Sequence, residues 1–460
     1  MSGPVRAARL HAARTAAAHR YGKLVLVAVA LAVALGARAA TVFEANPDNY
    51  RDLLKRLRPG DTLRLAPGAY AHGLPVHRLS GEAADPIVIS GPAAGPPAVF
   101  PGRPGRNTIS IVDSRHVVVR DIELDGRDIP VDAVKAEGHA RFAHDITLEN
   151  LVIRGHGTNQ QIVGISTKCP AWNWVIRGNT IVGAGTAIYL GNSDGSAPFV
   201  AGLIERNRIV DPLGYALQIK HQRPRPDSPD MPSGRGVTII RHNVFAKPNA
   251  GSAEAARPNV LVGHFPLEGP GADDHYAIYG NLFYENRHEA LFQGEGNVAL
   301  YSNLFVNSHG DAIHIQPHND VPRRIDIAYN TVLAAGTGIS VRNKEGATPT
   351  QRQRVAANAV FAATPIVAAD QAGNFTAPLA EAAGRLNRPF APPGTMDLFP
   401  KRPLRATILG GAAAADAAEF GFLPDWDRDF NGKPRRAGST GAYSGSGKNP
   451  GRLPSLVERF

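Results

Sequence analysis

The chain has one cysteine, Cys169, in 460 residues. A single thiol makes no internal disulfide, so the fold must be held by packing. Nor does "TKCPAW" place that thiol at a helix start, where a nucleophilic cysteine gains reactivity, and a buried structural role is expected. No phosphate-cradling loop or zinc motif occurs. No apolar run is long enough to span a bilayer comfortably: the longest, Leu24 to Leu35, is about a dozen residues. Long helical patterns are also missing, whereas Gly (48) and Pro (37) are abundant, which points to many turns and short strands.

Acidic residues are absent from the first forty positions. Arg6, Arg9, Arg14, Arg20 and Lys23 precede the apolar run, and "GARAAT" follows with Ala37 and Ala39 at the small positions of an A-x-A site. This order is that of a Sec-type signal peptide over residues 1–40, cut near Ala39 or Ala40. A secreted or periplasmic protein without stable membrane insertion is expected. The leader holds six of the 50 Lys and Arg, which leaves 44 bases against 40 acids and a net charge of about +4 in place of +10. Nucleic acid is therefore not an expected partner, and any electrostatic case rests on local clusters.

What is present is a repeat. Asn150, Asn179, Asn207, Asn243, Asn281, Asn303, Asn330 and Asn358 each open a short apolar strand followed by a polar turn and a second short strand. The intervals are 29, 28, 36, 38, 22, 27 and 28 residues. They are shorter than the blades of a β-propeller, and no helical period separates the strands. One such unit cannot bury its own apolar face, so successive units must stack. The reading is all-β: a single-stranded right-handed parallel β-helix, with the asparagines forming a ladder inside a turn. A helix near 47–58 is expected within an N-terminal cap and first coils (41–115). The coils proper cover 116–375, and an irregular C-terminal segment (376–460) is expected to cover the solenoid. The two long intervals contain Pro/Gly-rich loops at 222–236 and within 247–275. Loops of this kind often line a binding face.

"LRPGDTLRLAPGAY" followed by "DPIVISGP" resembles the opening of secreted β-helix proteins of the pectate-lyase-like superfamily, and "DFNGKPRRAGSTGAY" resembles their ending. The resemblance implies this fold and a carbohydrate-directed role, as polysaccharide lyase, glycoside hydrolase, uronate C5-epimerase or non-catalytic binder of the cell envelope. "GDAIHIQ" lacks the aspartate pair of polygalacturonase-type hydrolases. "IHIQPHND" resembles the Asp-Pro-His region of mannuronan C5-epimerases at Pro317 and His318, but has Gln316 in place of the acid and Ile313 in place of a tyrosine.

Counting from each asparagine aligns the second strands. Gln218 and Lys220 then share offsets with Phe292 and Gly294 and with His314 and Gln316, and Ser340 and Arg342 lie one residue short. Ser166 and Lys168, Tyr189, and Lys135 extend the set. Alternating Ile, Leu and Val point inward, so this set points outward. A stripe rich in bases suits an elongated acidic polysaccharide, with Tyr189 and Phe292 stacking on sugars. Lys168, Gln218, Arg223, Arg225, Glu295, Gln316, His318 and Arg342 complete the expected binding residues. For β-elimination at a uronate, Lys220 is the expected base, its pKa lowered by His221, Arg223 and Arg225. His221, His264 or His314 would supply the proton. No metal ligand is assigned. Asp273, Asp274 and His275 in "GPGADDH" could bind Ca²⁺, though a solvated loop is the first expectation there. A monomer is expected.

Overall fold

The computed structural model describes residues 39–249, 256–343, 351–407 and 422–457. The expected leader lies outside the described residues apart from its last two positions. Among the described residues no helix is long and apolar enough to cross a membrane.

One coil shows how the sequence folds. Val175–Arg177, Thr180–Val182 and Thr186–Leu190 are three short strands rich in β-branched residues, split by "GN" and "GAG". β-branched side chains suit a pleated surface, and the glycines and asparagine turn the chain between strands. Each strand pairs in parallel with its counterpart one coil on: Val175 with Leu203, Thr180 with Arg208, Ile188 with Leu217. Repeated along the chain, this gives three parallel sheets. The first runs from Val42–Ala45 to Asp370–Ala372, and the second from Gly68–Ala69 to Phe375–Ala377. The third runs from Leu74–His77 through Ile313–Ile315. The long strands Thr331–Val341 and Ala359–Val367 then run through both the second and third sheets. The chain is the expected parallel β-helix.

The ladder is present and shifted by one position at its start. Asn179, Asn207, Asn243, Asn281, Asn303, Asn330, Asn358 and Asn374 stack with each Nδ2 donating to the next Oδ1 at 2.9–3.1 Å. Each also takes a backbone N–H from the previous rung, as Asn207 Oδ1 does from Asn179 at 3.0 Å. Asn150 is outside the ladder; Leu151 occupies the rung and donates its N–H to Asn179 Oδ1 at 2.9 Å. Asn150 instead holds the corner position before the rung, with φ 54°. That corner is left-handed in successive coils, at Gly178, Arg206, His242, Gly280, Ser302, Tyr329, Ala357 and Gly373. Asn tolerates this conformation better than most residues, which is why an asparagine appears there.

Inside, columns of like residues fill the coil. Leu217, Val260, Phe292, Ile313 and Ile339 are successive rungs of the third sheet, all fully buried. At the N-terminal end the helix is short, Tyr50–Leu54, and its Tyr50 ring packs edge-on against Tyr70 and Phe100. At the other end, Leu386–Arg388 and Asp397–Pro400 form an antiparallel pair. Leu386, Met396, Leu398, Phe399 and Tyr443 cover Val244, Leu282, Leu304, Leu333 and Phe361 on the outer side of the second sheet. Leu423 and Trp426 lie on the stacked tyrosines Tyr279 and Tyr301 outside the first sheet. The C-terminal segment thus covers parts of two sheets, and the outer face of the third carries the clefts described next.

Candidate functional site

The third sheet presents two outward columns. The first runs Ser110, Lys135, Ser166, Tyr189, Gln218, Leu261, Gln293, His314, Ser340 by strand register. The second runs Lys168, Gly191, Lys220, Gly263, Glu295, Gln316, Arg342, each with its backbone N–H bonded to the previous rung, to a carbonyl in every case but Gly191, which donates to Thr167 Oγ1. Lys168, Lys220, Gln316 and Arg342 therefore do share one stripe.

A cleft of about 350 Å³ opens over the first column, bordered by Lys135, Lys168, Tyr189, Tyr215, Gln218 and Arg257. The Lys168 ammonium sits 3.3 Å from the centre of the Tyr189 ring. Burial pushes Lys168 down to about 8, and Lys135 and Lys220 add to the fall, against Asp132, which raises it. Gly191, with φ +87°, carries no side chain between the Lys168 and Lys220 rungs. Burial also raises the Tyr189 and Tyr215 hydroxyls, which stay protonated; Tyr189 shares a hydrogen bond with Ser193 Oγ at 3.0 Å. Among the described residues the one carboxylate lining the cleft is Asp132, which pairs with Lys135 at 3.1 Å and accepts the Val163 N–H at 2.8 Å.

The face continues toward the N-terminal end into a second cleft of about 640 Å³. Arg51, Arg103, Arg106, His72, His77 and His139 line it. On its floor Ser110 donates to Glu137 at 2.9 Å and meets His77 Nε2 at 3.0 Å. Ser110 and Lys135 are adjacent rungs, so the two clefts adjoin.

Several expected residues stand elsewhere. Phe292 is fully buried among Val260 and Ile313; its corner is one residue longer, and Gln293 faces outward in its place. Arg225 is not available to a ligand. Its guanidinium grips Asp274 and donates to Gly234 O at 2.9 Å, with its side chain 3% exposed. Asp274, so engaged and also accepting the Gly236 N–H at 2.7 Å, is committed to tying loop 222–236 to loop 265–274 and not to Ca²⁺. His275 Nδ1 turns to Asp273 O at 2.6 Å. Loop 222–236 reaches the first sheet, where Asp230 pairs with Arg115 at 3.3 Å.

Lys220 is half-buried, and its pKa is lowered by burial, with Glu295 acting the other way; the neighbouring arginines are not the cause. His221 is lowered by burial and then by Lys220. Arg223, His318 and Arg342 are exposed. His264 is buried with both ring nitrogens on backbone carbonyls, those of Phe265 and Val321, which leaves neither free for proton transfer. Glu295 is buried and accepts the N–H groups of His318, Asn319 and Asp320 at 2.8–3.1 Å, fixing that turn. His314 Nε2 lies 3.0 Å from Asp311 Oδ2.

Strand counting missed Tyr215 and Arg257 because both come from corners. Arg257 is held there by its carbonyl, which accepts from buried Lys247 at 2.9 Å and from Asn286 at 2.8 Å. The N-terminal cleft was missed because its arginines and histidines are scattered over residues 51–139 and converge only in the coil.

No protein-family model matches the chain, and no curated protein matches it. Among solved structures it is similar to an alginate lyase from Paenibacillus sp. str. FPU-7, at 13% identity and TM-score 0.38 over 74% of this chain and 98% of that one. It is similar to a GH136 lacto-N-biosidase from Eubacterium ramulus, at 11% and 0.40 over 74% and 68%. A rhamnogalacturonan lyase gives 14% and 0.39 over 72% and 83%. At such identities and scores the likeness says nothing about chemistry. The chain is a parallel β-helix protein, on the evidence of its own sheets, with polysaccharide lyases among its structural neighbours.

Proposed function

We propose that the protein is an exported polysaccharide lyase that cleaves an anionic, uronate-containing polysaccharide by β-elimination in the cleft over Lys168. One observation carries this reading. A lysine whose ammonium is disfavoured by burial and by two neighbouring lysines stands beside two protonated tyrosines in an open, cation-lined cleft.

In this reading Arg257 and Lys135 hold the uronate carboxylate, and their charge makes the C5 proton more acidic. Neutral Lys168 takes that proton at Nζ. The released electron pair forms the C4–C5 double bond as the C4–O bond breaks. Tyr189 or Tyr215 donates its hydroxyl proton to the leaving oxygen. Lys220 supports the reaction as the second charge of the stripe. The N-terminal cleft extends the cationic track for a polymer several sugars long, since rungs of about 4.8 Å approach the length of one sugar.

Hydrolysis is the weaker reading, because it requires two carboxylates flanking the bond and, among the described residues, the cleft has one, already paired. The test is incubation of the mature protein with a panel of polyuronates, followed by ultraviolet absorbance of the unsaturated uronate and product mass. Products lighter by one water than hydrolysis products support the proposal. Shorter products without unsaturation would establish hydrolysis, and unchanged polymer would leave binding or epimerisation as the activity and sink the lyase reading.

A further inference from the structure

The first sheet carries a cluster of donors that the proposed elimination does not use. His144 and Asp145 lie in the strand Ala143–Glu149, and His116 in Ser114–Arg120, the rung before. His116 and Asp145 both adopt left-handed φ, 49° and 52°, at matching places in adjacent rungs. A left-handed residue inside a strand interrupts the alternation and re-aims side chains, and it is uncommon outside glycine. Here it brings three ligand types together. His144 Nδ1 lies 2.6 Å from Asp145 Oδ2, and His116 Nδ1 lies 4.0 Å from Asp145 Oδ1. One donor atom from each of the three falls within 4.8 Å of the other two.

Two of the three are fixed in advance. The His144 ring is buried and lies flat on Trp172, at 4.2 Å and 7°. Asn173 Nδ2 donates to Asp145 Oδ1 at 3.3 Å. Donors around a tetrahedral ion with bonds of about 2.0–2.1 Å stand roughly 3.3 Å apart, so the His144–Asp145 contact must open and His116 must move inward to hold one. The adjacent cation, Arg115, is already answered by Asp230 of loop 222–236 at 3.3 Å.

We propose that His116, His144 and Asp145 form a binding site for a divalent first-row transition ion of the zinc class, with a fourth coordination position open to water. Two imidazoles and one carboxylate suit such ions, whereas Ca²⁺ and Mg²⁺ require oxygen donors throughout. The site does not depend on the lyase reading, and its test has no activity readout.

The experiment uses untagged, chelator-stripped mature protein titrated with CoCl₂, followed by visible absorbance and by tryptophan fluorescence, and with ZnCl₂ followed by calorimetry. One equivalent per chain is expected, with cobalt quenching the fluorescence of Trp172 through the stacked His144. His144→Gln and Asp145→Asn should each weaken binding at least 100-fold, with unchanged far-ultraviolet circular dichroism. His116→Asn, at the histidine more exposed than His144, serves as the third variant should His144→Gln fail to fold. Absence of saturable binding by the parent protein overturns the proposal, as does binding that survives in Asp145→Asn and His116→Asn alike.

Discussion

The second and third sheets are built from the same kind of strand on the same coil, yet their outer faces differ. From Val244 onward the second sheet turns Val244, Leu282, Leu304, Leu333 and Phe361 outward, and the chain's own C-terminal segment buries them. Over its middle the third sheet turns Lys168, Tyr189, Gln218 and Lys220 outward, above an open cleft. The coil itself is held by what lies inside it and at its corners: the apolar columns and the asparagine ladder. Outward side chains are therefore free to differ, and each face can serve either as a dock for the chain's own segments or as a surface for something else.

The sharpest way to break this comparison is at Lys168. Lys168→Ala should lower the rate of unsaturated-uronate formation by about 10²–10⁴-fold, the usual contribution of one acid–base group, with folding intact. Lys168→Arg keeps the charge but cannot supply a neutral base, so it should lose kcat as heavily while changing KM little. Lys220→Ala should cost less than Lys168→Ala; a larger loss at Lys220 would return the base to that residue. In the parent protein, kcat/KM should rise about tenfold per pH unit below a pKa of about 8 and level above it, since only neutral Lys168 accepts the proton.

At the corner the expected effect falls on stability instead. Asn243 gives its Nδ2 to Ile204 O at 2.9 Å and to Asn281 Oδ1 at 3.0 Å, and its Oδ1 accepts from Asn207. Asn243→Ala leaves these buried groups unpaired, at about 1–3 kcal/mol for each unmet group. A loss of about 3 kcal/mol in denaturant unfolding is expected, with no change in kcat of the folded fraction. Loss of activity without loss of stability would place Asn243 in the site and erase the distinction between the two regions.

The ladder was legible because a buried polar column has few chemical solutions and recurs at the coil period. Its ends were less so. Asn150 matched the pattern while occupying the left-handed corner, and Asn374 escaped because its interval is 16 residues. The outward stripe was legible from alternation, but counting from the ladder carried Phe292 to the wrong face, since corner length varies by one residue and one residue reverses a side chain. Alternation within "LFQGE" would have placed Gln293 outward. Arg225 looked free because its partner, Asp274, is 49 residues away. Tyr215 and Arg257 were hidden because corners have no period.

The smallest expected effect carries the opposite sign to the others. A lysine in an unfolded chain titrates near 10.4, and Lys168 in the fold titrates near 8. Between these values the unfolded state binds more protons than the folded one, so stability rises with pH across that window. Below about pH 8 the full penalty of keeping a charged lysine in the cleft is present. Lys168→Met removes that charge, so at pH 7 it should raise Tm, on the order of a degree for a chain of this size. The gain over the parent protein should shrink as pH climbs from 8 toward 10. An unchanged or lower Tm at pH 7 would mean that the ammonium's contact with the Tyr189 ring outweighs its burial, and that Lys168 belongs with the groups that hold the fold. A higher Tm would set it among residues kept at a cost to stability, which is expected of a reactive group and not of a structural one.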